Sequence, residues 1–379
     1  MSFQTILPPA MLGMLGGGQL GRFFVIAAHE MGYRVTVLDP DKNSPAGKIA
    51  DVHLCATYDD AIALEKMANT CQAITTEFEN VPASTLEILA KTCTVHPSAE
   101  AVSIAQHRVM EKQFISHAGI PVAPFVVVNG ANDLPKDGDA IYPSILKVAR
   151  FGYDGKGQAR VSNNVEALAA FENFKSEQCV LEKMLDLDYE VSVVLARDAQ
   201  GNVAVYPTAE NSHLNGILDV SIVPARAPKL IQEQARTLAQ KIAEKLNYVG
   251  VLAVEFFVSN GELLANEMAP RPHNSGHYTI DANVTNQFEQ QLRVLVGLPL
   301  GDVRLHSQAV MVNILGDIWR NGAEPAWGRI FARPELKLHL YGKHEPRPGR
   351  KMGHYTVIGA DQETVIVNAI KAREELGIG

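Results

Sequence analysis

The sequence predicts an α/β protein that opens with a doubly wound parallel sheet and closes with a small strand-rich domain. Three observations carry this. Short apolar strands alternate with helices from Ala10 to about Gln106, the first pair joined by a glycine turn; charged residues appear inside apolar strands after His107; and Leu300 to Gly379 is rich in strands. The expected domains are 1–106, 107–299 and 300–379, as suits a chain of 379 residues. Its 42 acidic and 34 basic residues leave a formal charge of −8, which disfavours an extended polyanion, so nucleic acid is not an expected partner. No apolar run approaches the roughly 18 residues of a membrane span, and Met1 to Ala10 lacks a basic segment followed by an apolar core. Cys55, Cys71, Cys93 and Cys179 show no paired spacing and read as buried thiols in a reducing compartment, so a cytoplasmic location is expected.

The first strand, Ala10 to Leu15, runs into Gly16-Gly17-Gly18-Gln19-Leu20-Gly21, then a helix from Arg22 to Met31 and a strand from Tyr33 to Leu38. Gly16, Gly18 and Gly21 fit G-x-G-x-x-G, and Asp39 stands where a ribose-binding acid would, so a dinucleotide site is one reading. Any tight strand-to-helix turn also favours glycine, which leaves a plain turn open. Glu77 and Glu79 follow a strand ending at Thr76, where open α/β sheets place ligands; a solvated loop or a cap on the helix from Ala83 fits them too.

Beyond a helix from His107 to His117, the strand Tyr142 to Val148 holds Lys147 between Leu146 and Val148, a costly place for a cation unless an anion meets it. Arg150 to Gln158 then carries three glycines whose N–H groups suit phosphates, although a mobile hairpin is the plainer alternative. Cys179 to Leu185 is a strand entering a polar turn that suits an adenine edge, with Glu190 suited to ribose hydroxyls. Val249 to Val258 and Glu262 to Glu267 form a hairpin about Ser259-Asn260-Gly261, with Glu255 and Glu267 inside it. A three-residue loop sets both acids on one face, whereas a two-residue Asn260-Gly261 turn separates them unless a bulge intervenes. Buried acids call for a cation, and Mg2+ favours carboxylates together with phosphates. Arg271, His273 and Asn274 follow, a grouping suited to an anionic substrate.

These features together resemble the ATP-grasp superfamily. Gly16 to Arg22 (GGGQLGR), Glu77 to Pro82 (EFENVP), Phe151 to Gln158 (FGYDGKGQ), Asn266 to His277 (NEMAPRPHNSGH) and Gly349 to His354 (GRKMGH) resemble, within it, the N5-carboxyaminoimidazole ribonucleotide synthetase family. The resemblance implies an ATP-grasp fold behind a pre-ATP-grasp domain. It also implies a Mg2+-dependent ligase that joins bicarbonate to 5-aminoimidazole ribonucleotide through carboxyphosphate, in a homodimer. It makes Arg108, Lys147, Gly152, Tyr153, Asp154, Gly155, Lys156, Gly157, Gln158, Glu182, Lys183, Met184, Leu185, Glu190, His213, Asn266 and Glu267 the ATP contacts, with Glu255 and Glu267 on the metal. Arg271, His273, Asn274 and Asp154 are the implied catalytic groups. Gln19, Leu20, Glu77, Tyr153, Arg271, Lys343, Arg350 and Lys351 are the expected ribonucleotide contacts, the last two at its phosphate. An NAD(P)-dependent oxidoreductase on Gly16, Gly18, Gly21 and Asp39 is the alternative class, together with a non-catalytic nucleotide module or another ATP-grasp ligase.

Overall fold

The computed structural model describes residues 5–150, 152, 157–319 and 322–378. Strands β1 (Met11–Leu15), β2 (Arg34–Leu38), β3 (Val52–Leu54), β4 (Ala73–Thr76) and β5 (Thr94–Val95) form a parallel sheet in the order β3-β2-β1-β4-β5. Helices α1 (Gln19–Glu30), α2 (Ala61–Thr70) and α3 (Ala83–Leu89) lie between them in the chain, and α4 (Ala99–Ala105) follows β5. Leu12, Met14, Val35 and Val37 are fully buried, the near-continuous apolar strands of a sheet covered on both faces. The strand order reverses between β1 and β4, so the loops after these two strands line the crevice where such sheets hold ligands. Helix α1 starts at Gln19, three residues earlier than the sequence suggests, because its N-terminal N–H groups find acceptors within the glycine turn's own neighbourhood.

After α5 (Arg108–His117) comes an antiparallel sheet of β6 (Phe125–Val128), β7 (Ser144–Val148), β8 (Gln158–Val161) and β9 (Cys179–Lys183), in the order β6-β9-β7-β8, with α6 (Asn164–Asn173) against it. A nine-stranded sheet follows from β10 (Tyr189–Arg197), β11 (Val203–Val205), β12 (Ala209–Leu214), β13 (Ile217–Val223), and, beyond α7 (Lys229–Lys245), β14 (Gly250–Ser259) and β15 (Glu262–Ala269). After α8 (Thr279–Ala282) and α9 (Gln287–Val296), the same sheet is continued by β16 (Gln308–Leu315), then, past α10 (Trp327–Phe331), by β17 (Leu336–Leu340) and β18 (Lys351–Gly359). The strand-rich C-terminal segment therefore extends the central sheet through the β13–β16 pairing, and α11 (Gln362–Leu376) covers it through Val365, Ala369 and Ala372.

Helix α9 fixes the N-terminal domain to the rest. Leu292, Leu295 and Val296 join the core that holds Leu12, Met14 and Phe24, and Gln291 Nε2 donates to Thr75 Oγ1 at 2.9 Å. The cysteines correct the sequence reading in part: Cys71 and Cys179 are buried, but Cys55 is exposed and Cys93 half-buried. Among the described residues no helix is long and apolar enough to cross a membrane.

A Cβ at Gly21 would lie 2.7 Å from Gly16 O and 3.3 Å from Glu77 Oε2, so α1 can approach the turn only with glycine there. Gly21→Ala is expected to destabilise the protein by about 1–3 kcal/mol in urea unfolding. A loss within a few tenths would show that the approach is not required.

Candidate active site

The glycine turn is already supplied with acceptors. Glu77 Oε2 accepts from Gly21 N at 2.8 Å, Glu77 Oε1 accepts from Gly18 N, and Asp39 Oδ2 accepts from Gly17 N at 2.7 Å and from Tyr58 Oη at 2.9 Å. A carboxylate thus stands where a dinucleotide would put its pyrophosphate, and Asp39 is turned inward, away from any ribose. The NAD(P) reading fails on these contacts. Glu77 is neither solvated nor a cap on α3; burial pushes its carboxyl up while the two N–H donors pull it down. Leu20, expected to touch substrate, packs instead against Ala27 and Phe288, so its side chain belongs to the core. Gln19 is half-buried at the start of α1.

The acid pair is set by backbone geometry. The hairpin turn has two residues, Asn260 and Gly261, at φ 51° and 75°, a type I′ pattern that alone would send Glu255 and Glu267 to opposite faces. The register shifts by one between Glu255 and Phe256, leaving Asn266 as the extra residue, and Glu255 then pairs directly with Glu267. Asn266 Oδ1 is buried without a hydrogen-bond partner. Arg108 on α5 holds Glu267 Oε2 at 3.5 Å and donates to Gly152 O at 3.3 Å, tying the base of the glycine-rich segment to the acids. Glu111, one helical step on, accepts from Met268 N at 2.6 Å and is pushed up to about 8 by burial and by Glu267. Two opposed acids and an unpartnered amide oxygen are a donor set suited to a hard divalent cation.

The small sheet buries a second charge cluster. Lys147 on β7 and Lys112 on α5 each lie 3.2 Å from the same oxygen, Glu182 Oε2 on β9, while Glu182 Oε1 has no partner. Burial raises the Glu182 carboxyl, but Lys147 and Lys112 overcome it and hold it down at about 2. Two ammonium groups against one carboxylate leave a net positive charge in a dry place, which an anion would relieve. Past Glu182, Lys183 N donates to Pro124 O and Met184 N to Pro143 O, both at 2.9 Å, so Leu185 N–H is the first backbone donor beyond the strand with no acceptor among the described residues. Glu190 on β10 and His213 on β12 meet at 3.0 Å; burial draws the imidazole down, and the carboxylates of Glu190, Glu255 and Glu267 raise it on balance.

Arg271 Nε donates to Glu79 Oε2 at 2.6 Å, which joins the β4 loop to the segment after β15. His273 is neutral, its basicity lowered by burial and by Arg271 and Lys351. Its Nδ1 accepts from Ser275 N at 3.2 Å, so Nε2 carries the proton and points to Glu255 Oε1 at 3.6 Å. Behind it runs a buried chain: Ser221 Oγ to Asn211, Asn211 to Ser192, Ser192 to Ser275 Oγ, and Ser275 to His273, each link 2.7–2.9 Å. Asn274, expected among the catalytic groups, commits both ends of its amide to Asn313 at 3.0 and 2.6 Å and serves as a brace to β16. In the loop before β18, Lys343 Nζ donates to Lys351 O at 2.7 Å. Lys343 lies in the field of Glu77, and Lys351 in that of Glu255 and His273. Arg350 turns to Glu345 O at 2.9 Å instead.

Gly157 is the turn residue before β8, which Gln158 opens in register with Lys147. Phe151, Tyr153, Asp154, Gly155 and Lys156 lie outside the described residues. The sequence reading missed Lys112 and Glu111, although charges three and four residues from Val109 and Ile115 on an otherwise apolar helix stripe were a signal for them. It also missed the Ser–Asn–Ser chain, whose members are far apart in sequence and carry no motif.

A buried lysine with surplus positive charge, an acid pair on adjacent strands and a parallel-sheet domain at the crevice define an ATP-grasp ligase. Family models agree: residues 10–106 match a ribonucleotide synthetase preATP-grasp domain, 113–288 an ATP-grasp domain, and 309–367 a phosphoribosylaminoimidazole carboxylase C-terminal domain. The N5-carboxyaminoimidazole ribonucleotide synthase of Bacillus subtilis is 45% identical over 362 residues, covering 94% of this chain and 93% of that protein. A solved ADP complex of an N5-carboxyaminoimidazole ribonucleotide synthetase superposes with a TM-score of 0.90 at 40% identity, covering 99% of this chain and 98% of the other. The Aspergillus clavatus enzyme, solved with ADP and 5-aminoimidazole ribonucleotide, gives 0.87 at 30% identity and covers all of both chains. The chain belongs to the N5-carboxyaminoimidazole ribonucleotide synthase family.

Burial, and then the facing Glu267, push Glu255 up to about 7 from its ordinary 4.5. Between these values the folded protein holds a proton that the unfolded chain has lost. This contribution to stability is therefore complete below 4.5 and disappears as the pH rises through 7. The unfolding free energy of the ligand-free protein is expected to decline across that window, by up to about 3 kcal/mol from this group, and Glu255→Gln should flatten the decline. Identical pH profiles for the two proteins would show that Glu255 ionises normally.

Proposed function

We propose that this enzyme uses ATP and bicarbonate to carboxylate the exocyclic amine of 5-aminoimidazole ribonucleotide, giving N5-carboxyaminoimidazole ribonucleotide, ADP and phosphate in purine biosynthesis. The observation that carries the reading is the opposed Glu255/Glu267 pair, bracketed by a buried surplus cation at Lys147 on one side and by Arg271 and His273 on the other. Lys147 meets the ATP phosphates, where the charge left over at Glu182 attracts them. Leu185 N–H and the Lys183 carbonyl meet the adenine edge, and Glu190 the ribose. Residues 152–158 contact the phosphates on the family resemblance, and Arg108 holds the carbonyl of Gly152. Asn266 adds an oxygen beside the acids.

Glu255 and Glu267 would hold Mg2+, which neutralises phosphate charge during phosphoryl transfer. A bicarbonate oxygen attacks the γ-phosphorus, ADP leaves, and carboxyphosphate forms against Arg271, whose guanidinium is oriented by Glu79. The neutral His273 offers its Nε2 proton as a donor without adding charge. The amine then attacks the carbon of carboxyphosphate, or of the CO2 it releases; phosphate leaves and the amine loses one proton. Asp154 and Tyr153 belong to this step on the resemblance alone. The ribonucleotide lies at the crevice beside Gln19 and Glu77, with Lys343 and Lys351 on its phosphate and Arg350 at the loop's outer edge. A homodimer and a cytoplasmic location complete the reading, the first on the family resemblance and the second on four free thiols.

Phosphate release from Mg-ATP should require both bicarbonate and 5-aminoimidazole ribonucleotide. Release that ignores the ribonucleotide would overturn the reading. Lys343→Ala should remove a charge-assisted contact of about 1.5–3 kcal/mol, raising the ribonucleotide KM by about one to two orders of magnitude while sparing the ATP KM. A rise confined to ATP would place this loop over the wrong ligand.

A further inference from the structure

A second polar cluster lies beneath the basic loop and has no part in the chemistry above. His339 on β17 and His354 on β18 occupy paired positions and stack with ring centroids 4.7 Å apart. Asp281 on α8 approaches from the opposite element, its Oδ2 at 2.8 Å from His339 Nε2. The ligand atoms of these three residues all lie within 4.8 Å of one another. His354 is fully buried; its Nδ1 is engaged by Tyr341 Oη at 2.9 Å, and its Nε2 is buried with no hydrogen-bond partner. A buried imidazole nitrogen without a partner is a defect that a protein ordinarily repairs, and an ion shared with the neighbouring histidine–aspartate pair would repair it.

The geometry points to a binding site for a zinc-class divalent ion at Asp281, His339 and His354. Two imidazoles and one carboxylate match borderline ions such as Zn2+ and Co2+, whereas Mg2+ prefers oxygen alone. The open fourth position would take water. Tyr341 Oη meets His354 Nδ1 at 2.9 Å and fixes the ring, an outer-shell contact of the kind that orients a ligating imidazole through its other nitrogen. His277 does not join the set. The Gln287 side-chain amide, fixed by His273 N and O, donates to His277 Nδ1 at 3.1 Å, so the His277 proton sits on Nε2.

An ion here would clip β17 and β18 to α8. Those strands bracket the loop that carries Lys343, β18 itself begins with Lys351, and α8 follows the segment that carries Arg271 and His273. The site is separate from the Glu255/Glu267 pair and stands whether or not the reading of that pair is right. Binding should also stabilise the fold by mass action, since the three ligands meet only when the elements are docked.

The test uses the full chain, stripped with a chelator and held in excess Mg2+ so that hard oxygen sites are occupied, then titrated with Co2+. About one equivalent of Co2+ is expected, with visible d–d absorption and a raised Tm. His339→Gln and Asp281→Asn, at partly exposed positions, should each weaken Co2+ binding at least about tenfold, and Glu255→Gln should leave it unchanged. Urea unfolding of the metal-free variants shows that the fold survives. Absence of a Co2+ band, equal affinity in the wild type and His339→Gln, or a loss in Glu255→Gln instead would overturn the proposal.

Discussion

Two carboxylates face each other across β14 and β15 because one residue, Asn266, is inserted into the ladder. Most of the surrounding structure answers the charge that this creates. Like charges at paired strand positions repel, and burial makes the repulsion worse, which is why Glu255 is driven to about 7. Arg108 offsets part of it at Glu267, and the His273 N–H and the protonation-prone His213 face Glu255 and Glu190. What is left is a site whose acids are under-neutralised beside a sheet whose two buried lysines share a single carboxylate. Triphosphate with a divalent cation complements both.

The N-terminal domain contributes by occupying its own nucleotide cradle. Glu77 and Asp39 take the N–H groups of the glycine turn, which converts a potential phosphate site into a rigid wall of the crevice. Glu79 reaches from the next loop to orient Arg271, and Gln291 with the apolar face of α9 holds the domain in register. The switch point of a doubly wound sheet thus remains a ligand crevice while its ligand chemistry is supplied largely by the central sheet.

The first strands were legible because their apolar runs are clear: Met11–Leu15 and Arg34–Leu38 each fall within a residue of their expected bounds. The acid pair was legible as a pair, but its facing was not. A bulge is a single unpaired residue with no sequence signature, and Asn266 looks like any polar strand position. Asp39 and the three glycines pointed to a dinucleotide because the acid that displaces it, Glu77, comes from a strand 59 residues beyond Gly18. Asn274 misled for a similar reason: its amide partner, Asn313, is on β16, and reciprocal amide pairs across domains leave no local trace.

The central claim is that the bulge brings Glu255 and Glu267 onto one cation. The most direct measurement is a crystal structure of the ADP complex grown with Mn2+, with the ion located by its anomalous scattering. The account predicts a peak ligated by carboxylate oxygens of both Glu255 and Glu267. A peak held by only one of them, or an ADP complex whose metal contacts neither, would contradict it.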